Sequence, residues 1–288
     1  MGIPADGSHT FQWTFGNGNT FTGENPPSQN YVNHTNQIKR DTIRLRIQDI
    51  YGCVFNAQRV IITYPLPNAV IVAPDSVCHN TTVTFDATGN GLGSFFWSFN
   101  ELDGTTSNDN SPVKVLTNTS DQTRVINIRL QATTTTGCID TTAKTIRIFP
   151  LPVAAFTPSV TAACGGSALP VAFDASGSLR ANFFTWNFND GGNQIIDTTA
   201  SIVSRVFPPN FTNADRVYNV SLNVKSDKGC VSSPVATNIR IRPTVRALFV
   251  PDVRKGCNPL RVNFTNLSSS NDDFYQWFIN EVGAPGMG

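Results

Sequence analysis

The stretch Ala172-Phe173-Asp174-Ala175-Ser176-Gly177-Ser178, followed by Phe184-Thr185-Trp186-Asn187-Phe188-Asn189-Asp190-Gly191-Gly192, decides the fold. It reads as a strand, a tight turn, a second strand with a central tryptophan, and a glycine-rich turn. Weaker copies run through Phe85-Asp86-Ala87-Thr88-Gly89 with Phe96-Trp97-Ser98-Phe99-Asn100, and through Phe264-Thr265-Asn266-Leu267-Ser268 with Tyr275-Gln276-Trp277-Phe278. A fourth, Phe11-Gln12-Trp13-Thr14-Phe15-Gly16-Asn17-Gly18, keeps only the second half. The tryptophans set the period: 97 − 13 = 84, 186 − 97 = 89 and 277 − 186 = 91. Internal repetition at this spacing means modules rather than one large domain.

Within a module the apolar period is two. Tyr218, Val220, Leu222 and Val224 share one face while Asn219, Ser221 and Asn223 share the other. Ile126, Ile128, Leu130 and Ala132 repeat the pattern, as do Ile43, Leu45 and Ile47 against Arg44 and Arg46. Alternation of this kind makes strands with one buried face. Turn residues interrupt the chain every eight to twelve residues or so, the spacing of an all-β sandwich. Trp13, Trp97, Trp186 and Trp277 are expected to fill the space between sheets. Proline-marked junctions at Tyr64-Pro65-Leu66-Pro67, Phe149-Pro150-Leu151-Pro152 and Arg242-Pro243-Thr244 fall in the same phase. Proline fixes its own φ and lacks a donor, so it closes one sheet and leaves little slack. The expectation is an all-β chain of tandem immunoglobulin-like sandwiches in a linear rod. Its modules are residues 1–66 (front missing), 67–151, 152–243 and 244–288 (end missing). A sequence cut at both ends in mid-module points to a window of a longer polypeptide.

Six cysteines fall in two classes. Cys78, Cys164 and Cys257 precede an early strand, whereas Cys53, Cys138 and Cys230 each follow a glycine after a long alternating strand. None forms a C-x-x-C pair, which argues against zinc. One early and one late cysteine per module implies one bridge per module in an oxidising compartment. The expected pairs are Cys78–Cys138 and Cys164–Cys230, with Cys53 and Cys257 bonded to residues outside the segment or chain. Such loops of 60 (138 − 78) and 66 (230 − 164) residues are each worth roughly 4 kcal/mol by loop-closure entropy.

A net charge of +1 with 14% charged residues gives no electrostatic reason to expect nucleic acid or an anionic membrane as partner. No apolar run is long enough to span a bilayer. His9, His34 and His79 sit in different modules without neighbouring cysteine or carboxylate clusters and read as solvated loop residues. No Ser/His/Asp set, paired carboxylates or phosphate loop stands out, so an enzyme is not expected. Asp174, Asn189, Asp190 and Asp197 could offer oxygens to calcium. Asp and Asn at turns are ordinary turn chemistry, however, and no cofactor is expected.

The Phe173–Ser178 strand and turn, with Trp186-Asn187-Phe188-Asn189-Asp190-Gly191, resembles the polycystic-kidney-disease (PKD) repeat. Trp13-Thr14-Phe15-Gly16-Asn17-Gly18 matches the second half of its hallmark. Asn100-Glu101-Leu102-Asp103-Gly104 stretches the turn, and Asn280-Glu281-Val282-Gly283 departs further. The added Gly-Cys is similar to PKD-like arrays of large type IX-secreted surface proteins in Bacteroidota, among them adhesins and gliding-associated proteins. The resemblance implies an extracellular, cell-surface stalk or filament segment. Its partners would be other domains of the same chain, neighbouring copies, or a host or prey surface ligand. Asp-Ser/Thr triplets place possible O-glycosylation at Thr42, Ser76, Thr141 and Thr198, again by resemblance. Two other functions fit the sequence: a spacer array of a secreted glycan hydrolase or protease, and a head-to-tail fibre subunit completed by half-modules of neighbouring chains.

Overall fold

The computed structural model describes residues 9–191 and 195–268, and every regular element in them is a β-strand. The chain divides into two compact units at Pro150/Leu151.

The first unit opens with β1 (Thr10–Thr14), β2 (Thr20–Thr22), β3 (Lys39–Gln48) and β4 (Val54–Thr63), which form one antiparallel sheet in the order β2-β1-β3-β4. There follow β5 (Val70–Val72), β6 (Ser76–Cys78), β7 (Thr81–Thr84), β8 (Asp86–Thr88), β9 (Leu92–Phe99), β10 (Thr105–Ser107), β11 (Val113–Leu116), β12 (Arg124–Thr134) and β13 (Ile139–Phe149). These build a sandwich. One layer is the five-stranded sheet β10-β9-β12-β13-β6; the other is made of the β11-β7 and β5-β8 pairs. All neighbours are antiparallel except β6, which runs parallel to the end of β13 with Cys78 opposite Phe149.

The second unit repeats the plan with β14 (Thr157–Pro158), β15 (Ala162–Cys164), β16 (Leu169–Asp174), β17 (Phe183–Asn187), β18 (Ile195–Thr198), β19 (Ile202–Phe207), β20 (Arg216–Lys225) and β21 (Val235–Arg242). Its layers are β15-β21-β20-β17-β18 and β14-β16-β19. Here β15 is the parallel edge strand, with Cys164 opposite Arg242. Beyond it β22 (Phe249–Pro251) pairs with β23 (Phe264–Asn266). Trp277 lies outside the described residues.

The alternation read from sequence places the cores. Ile126, Ile128, Leu130 and Ala132 of β12 are buried, as are Val220, Leu222 and Val224 of β20. Between the layers the tryptophan and the phenylalanine two residues on share a face, because side chains alternate along a strand. Their rings stack: Trp97 on Phe99 at 6.3 Å and 15°, Trp186 on Phe188 at 6.0 Å and 11°. From the opposite layer, edge-on, come Phe85 against Phe99 (5.2 Å, 68°) and Phe173 against Phe188 (5.3 Å, 64°). Offset and edge-on aromatic pairs add to the simple burial of area. Trp13 and Phe15 make the same stack at 6.2 Å and 2°, with Trp13 only half buried.

Trp97 has no exposed surface, while its neighbour Phe96 faces outward at 47% exposure. Trp97→Ala is therefore expected to cost about 3–5 kcal/mol, whereas Phe96→Ala should stay within about 0.5 kcal/mol. Denaturant unfolding followed by far-UV circular dichroism checks this, and equal losses from the two variants would contradict the inward assignment.

Candidate functional site: the poles of the sandwich

The sequence features not spent on the core gather at the two ends of each sandwich. The leading pole carries the turn that ends in Gly-Cys, and three modules build it alike. The backbone N–H of Asp49, Thr134 or Ser226 donates to the carbonyl of Cys53, Cys138 or Cys230 at 2.9–3.1 Å. Gly52, Gly137 and Gly229 lie at φ +87°, +87° and +84°, the left-handed region that glycine tolerates best. The side-chain oxygen four residues before each cysteine accepts that cysteine's N–H: Asp49 Oδ1 at 2.8 Å, Thr134 Oγ1 at 3.0 Å and Ser226 Oγ at 3.2 Å. Sequence reading picked out the Gly-Cys alone. The missed signal is a short oxygen-bearing side chain four positions earlier, local side-chain chemistry that favours a turn.

The trailing pole is closed by a buried asparagine, also missed. Asn118 Nδ2 donates to the carbonyls of Gln122 (2.7 Å) and Ile148 (2.8 Å), while its Oδ1 accepts from Ser120 N–H (3.1 Å) and Oγ (2.7 Å). Asn210 does the same with Ala214, Ile241 and Thr212, and Asn33 with Gln37, Thr63 and Thr35. Each side chain satisfies backbone groups at the end of the last strand. The residue two positions on supplies a hydroxyl, so these triplets look like glycosylation sequons for a structural reason. Asn118 and Asn210 are buried. His79 belongs to this closure rather than to a solvated loop: its Nδ1 accepts the Asn118 N–H at 2.8 Å. At the matching place Gly165 accepts the Asn210 N–H through its carbonyl at 3.0 Å. A Cβ on Gly165 would clash with the Arg242 carbonyl and sit 2.9 Å from Asn210 N.

The early cysteines lie at this trailing pole, and that overturns the pairing expected from sequence. Cys78 stands beside Phe149 at the end of β13, and Cys138 immediately precedes its first residue, Ile139. The 11 residues of β13 keep the two roughly 30 Å apart at about 3.3 Å per residue. A bridge needs Cα atoms within about 7 Å. In the second unit Cys164 sits beside Arg242, near the Arg216 end of β20, and Cys230 beside Val231, at its Lys225 end. Neither Cys78–Cys138 nor Cys164–Cys230 forms: Cys138 and Cys164 carry free thiols, as do Cys53 and Cys257, while Cys78 and Cys230 are disulfide-bonded.

The oxygen ligands considered for calcium are engaged otherwise. Asp174 Oδ1 accepts Ser176 N–H at 2.8 Å, and this hydrogen bond holds its carboxyl below the usual range. Asn189 turns its amide to the Asn219 carbonyl at 2.8 Å. Asp190 makes a two-point pair with Arg205 (Nε–Oδ2 2.5 Å, Nη2–Oδ1 2.9 Å), and the guanidinium lies 5.5 Å from the centre of the Phe188 ring. Asp197 lies on β18 opposite Thr185. The stretched turn of the preceding sandwich keeps this arrangement with other residues. Lys114 Nζ reaches Asp103 at 3.0 Å and stands 4.9 Å from the Phe99 ring centre. Among the described residues no three carboxylate, imidazole or thiol groups gather in one place. Of the O-glycosylation candidates, Ser76 and Thr141 are exposed and Thr42 and Thr198 half-buried; all four lie on strands.

No family profile and no curated protein matches the chain. Among solved structures, it aligns with fibronectin(III)-like modules of Clostridium thermocellum CbhA at 11% identity, covering 61% of this chain and 94% of that one, with a TM-score of 0.34. A 1.5-MDa bacterial ice-binding adhesin aligns at 13% identity over 82% of this chain and 85% of that one, TM-score 0.38. The FN1–FN3 domains of chicken CNTN1 align at 12% identity over 82% and 92%, TM-score 0.35. Scores of this size carry no argument about activity or ligand.

Asn118→Ala strips partners from two backbone carbonyls and one N–H. The expected loss is about 1–3 kcal/mol, because buried groups left unsatisfied cost their full desolvation. Asn219→Ala, on an exposed strand face, should stay within about 0.5 kcal/mol. Chemical denaturation of both variants checks this. On acidification Asp174 should behave as a depressed carboxyl: its contribution is present above about pH 4 and lost as pH falls further. Asp174→Asn is therefore expected to flatten the acid limb of the stability–pH curve while leaving its shape above pH 5 unchanged.

Proposed function

We propose that this chain is a structural repeat segment, the stalk of a large secreted cell-surface adhesin or extracellular filament. The observation that carries the reading is what repeats and what does not. From module to module the ring stack, the trailing-pole asparagine and the leading-pole Gly-Cys turn recur with the same partners. The outward residues of the tryptophan strands do not: Gln12 and Thr14 in the first, Phe96 and Ser98 in the second, Thr185 and Asn187 in the third. Repetition of inner architecture and end closures, on variable outer faces, is what a mechanical spacer requires. A repeated binding module would instead keep its outer groups.

The PKD-like motifs and the added Gly-Cys support a Bacteroidota-type source and the type IX route. Oxidised cysteines support a location outside the cytoplasm. The partners under this reading are other domains of the same chain, neighbouring copies, or a ligand on a host or prey surface held by a distal part. O-glycosylation at Thr42, Ser76, Thr141 or Thr198 would suit such an exposed segment.

Antibodies against residues 67–243 should label intact cells of the source organism, and brief external protease should remove the label. Label that emerges only after permeabilisation would refute the surface stalk.

A further inference from the structure

The outer face of the first unit's five-stranded sheet carries a hollow of about 400 Å³, lined by Phe96, Ser98, Arg129, Gln131, Thr141 and Ala143. We propose that it binds an acidic saccharide, with one uronate ring lying on Phe96 and its carboxylate held by Arg129.

The hollow follows from register. Trp97 and Leu130 are buried between the layers, so their neighbours on either side along the strand point outward. On that face Phe96 stands opposite Gln131, and Gln131 opposite Thr141. In the next row Ser98 stands opposite Arg129, and Arg129 opposite Ala143. Arg129 is thus flanked by two short side chains, while Phe96 and Gln131 rise one row away. The floor spans roughly 10 Å across three strands and about 7 Å along them. That is the footprint of a sugar ring with its substituents, and the volume falls within the range of small-molecule sites.

The chemistry of the walls selects the ligand. Phe96 is 47% exposed, an apolar ring left facing water. A pyranose has an apolar face of C–H groups, and these suit the negative face of an aromatic ring. β12 is paired on both sides, to β9 and to β13, so its backbone has no free groups with which to add a strand. Recognition falls to side chains: the Gln131 amide and the Ser98 and Thr141 hydroxyls donate and accept as sugar hydroxyls do. Arg129 sets the charge. Its guanidinium makes no hydrogen bond or ion pair among the described residues, and no lining residue is acidic. The carboxylate nearest in sequence, Asp140, is taken up by the N–H groups of Ala69 (2.9 Å) and Thr141 (2.8 Å). A guanidinium without an anion, beside an exposed ring, fits a carboxylate presented at the edge of a flat, hydroxyl-rich ring. Diagonal neighbours across an antiparallel pair lie about 7–8 Å apart, within reach of side chains as long as Phe96 and Arg129. The first sheet shows the contrast. Its hollow at the matching place holds Gln12, Arg44, Arg46 and Asn56 but no ring, and Arg46 already bonds to Gln12 and Gln48.

The stalk reading rests on what recurs between modules. This site lies on a face that does not recur, so it stands whether or not the chain is a stalk. Thr141 enters both readings: a sugar attached there would lie across the hollow, so the titration uses whole chain whose mass shows no attached glycan.

The probes are hexamannuronate, hexagalacturonate and mannohexaose, the last being the uncharged counterpart of the first. In isothermal titration calorimetry at low ionic strength, at least one uronate should bind, and mannohexaose should bind at least about tenfold more weakly than the uronates that do. Arg129→Gln and Phe96→Ala should each weaken uronate binding about tenfold or more, whereas Gln12→Ala on the first sheet should leave it unchanged. Phe96 and Arg129 are both exposed, so the melting temperatures of their variants should stay level. No binding of either uronate, equal affinity for mannohexaose, or undiminished binding in either variant would overturn the proposal. Because the charged and neutral sugars are compared on the unaltered sequence, the result does not depend on whether a variant folds. Surface labelling tests the stalk reading separately, so failure of one is distinguishable from failure of the other.

Discussion

Everything in these modules depends on one stack, a tryptophan lying flat on the phenylalanine two residues ahead of it. The pair fixes which face of the central strand points inward. In a structure of period two, that choice fixes the face of every strand paired to it. Trp97 is registered with Leu130, and Leu130 in turn with Thr142. Trp186 sits opposite Leu222, which pairs with Val235. A slip of one residue at the stack would turn both sheets inside out. The edge-on ring from the second layer, Phe85 or Phe173, then sets where that layer rests. Sheet register and inter-sheet packing therefore share one cause.

The same stack explains the cation beside it. Lys114 and Arg205 stand near Phe99 and Phe188, each paired with an aspartate of the following turn. Attraction between cation and ring is modest where water can reach it. A two-point guanidinium–carboxylate pair is stronger and directional. Together they join the turn to the opposite layer at the edge of the core. The two extra residues in Asn100–Asp103 change the turn's length yet return an aspartate to a cation at the matching place. This marks the contact, rather than the glycine-rich spelling of the turn, as what the fold needs.

Much of this was legible in the residues. Alternation gave the strands, and the tryptophan period gave the places of the ring stacks at Trp13, Trp97 and Trp186. The glycine of each Gly-Cys turn takes the positive φ that tight hairpin turns favour. Two things were not legible, both for the same reason. Nothing local says that the side chains of Asn33, Asn118 and Asn210 reach the end of a strand about 30 residues away. The cysteines read as intramodular pairs because one early and one late residue per repeat looks like a bridge. Sequence spacing does not say which end of a sandwich a residue occupies. The information lies in the parallel pairing of β6 with β13 and of β15 with β21, and non-local parallel edges leave no short-range mark.

That parallel edge has a further physical meaning. An early strand that pairs with the last one sets Cys78 beside Phe149 and Cys164 beside Arg242, so the exit is held on two sides. The buried asparagine then satisfies the carbonyls that the ending ladder leaves open, and the neighbouring His79 or Gly165 closes the gap above it. The leading pole is held instead by the bonds of the Gly-Cys turn and, in the second unit, by Asn182 Oδ1 accepting the Asp227 N–H. The two ends of a sandwich thus differ in kind: one is closed by an asparagine bonded to the last strand, the other by a Gly-Cys turn bonded to itself. Each sandwich acquires direction from that asymmetry.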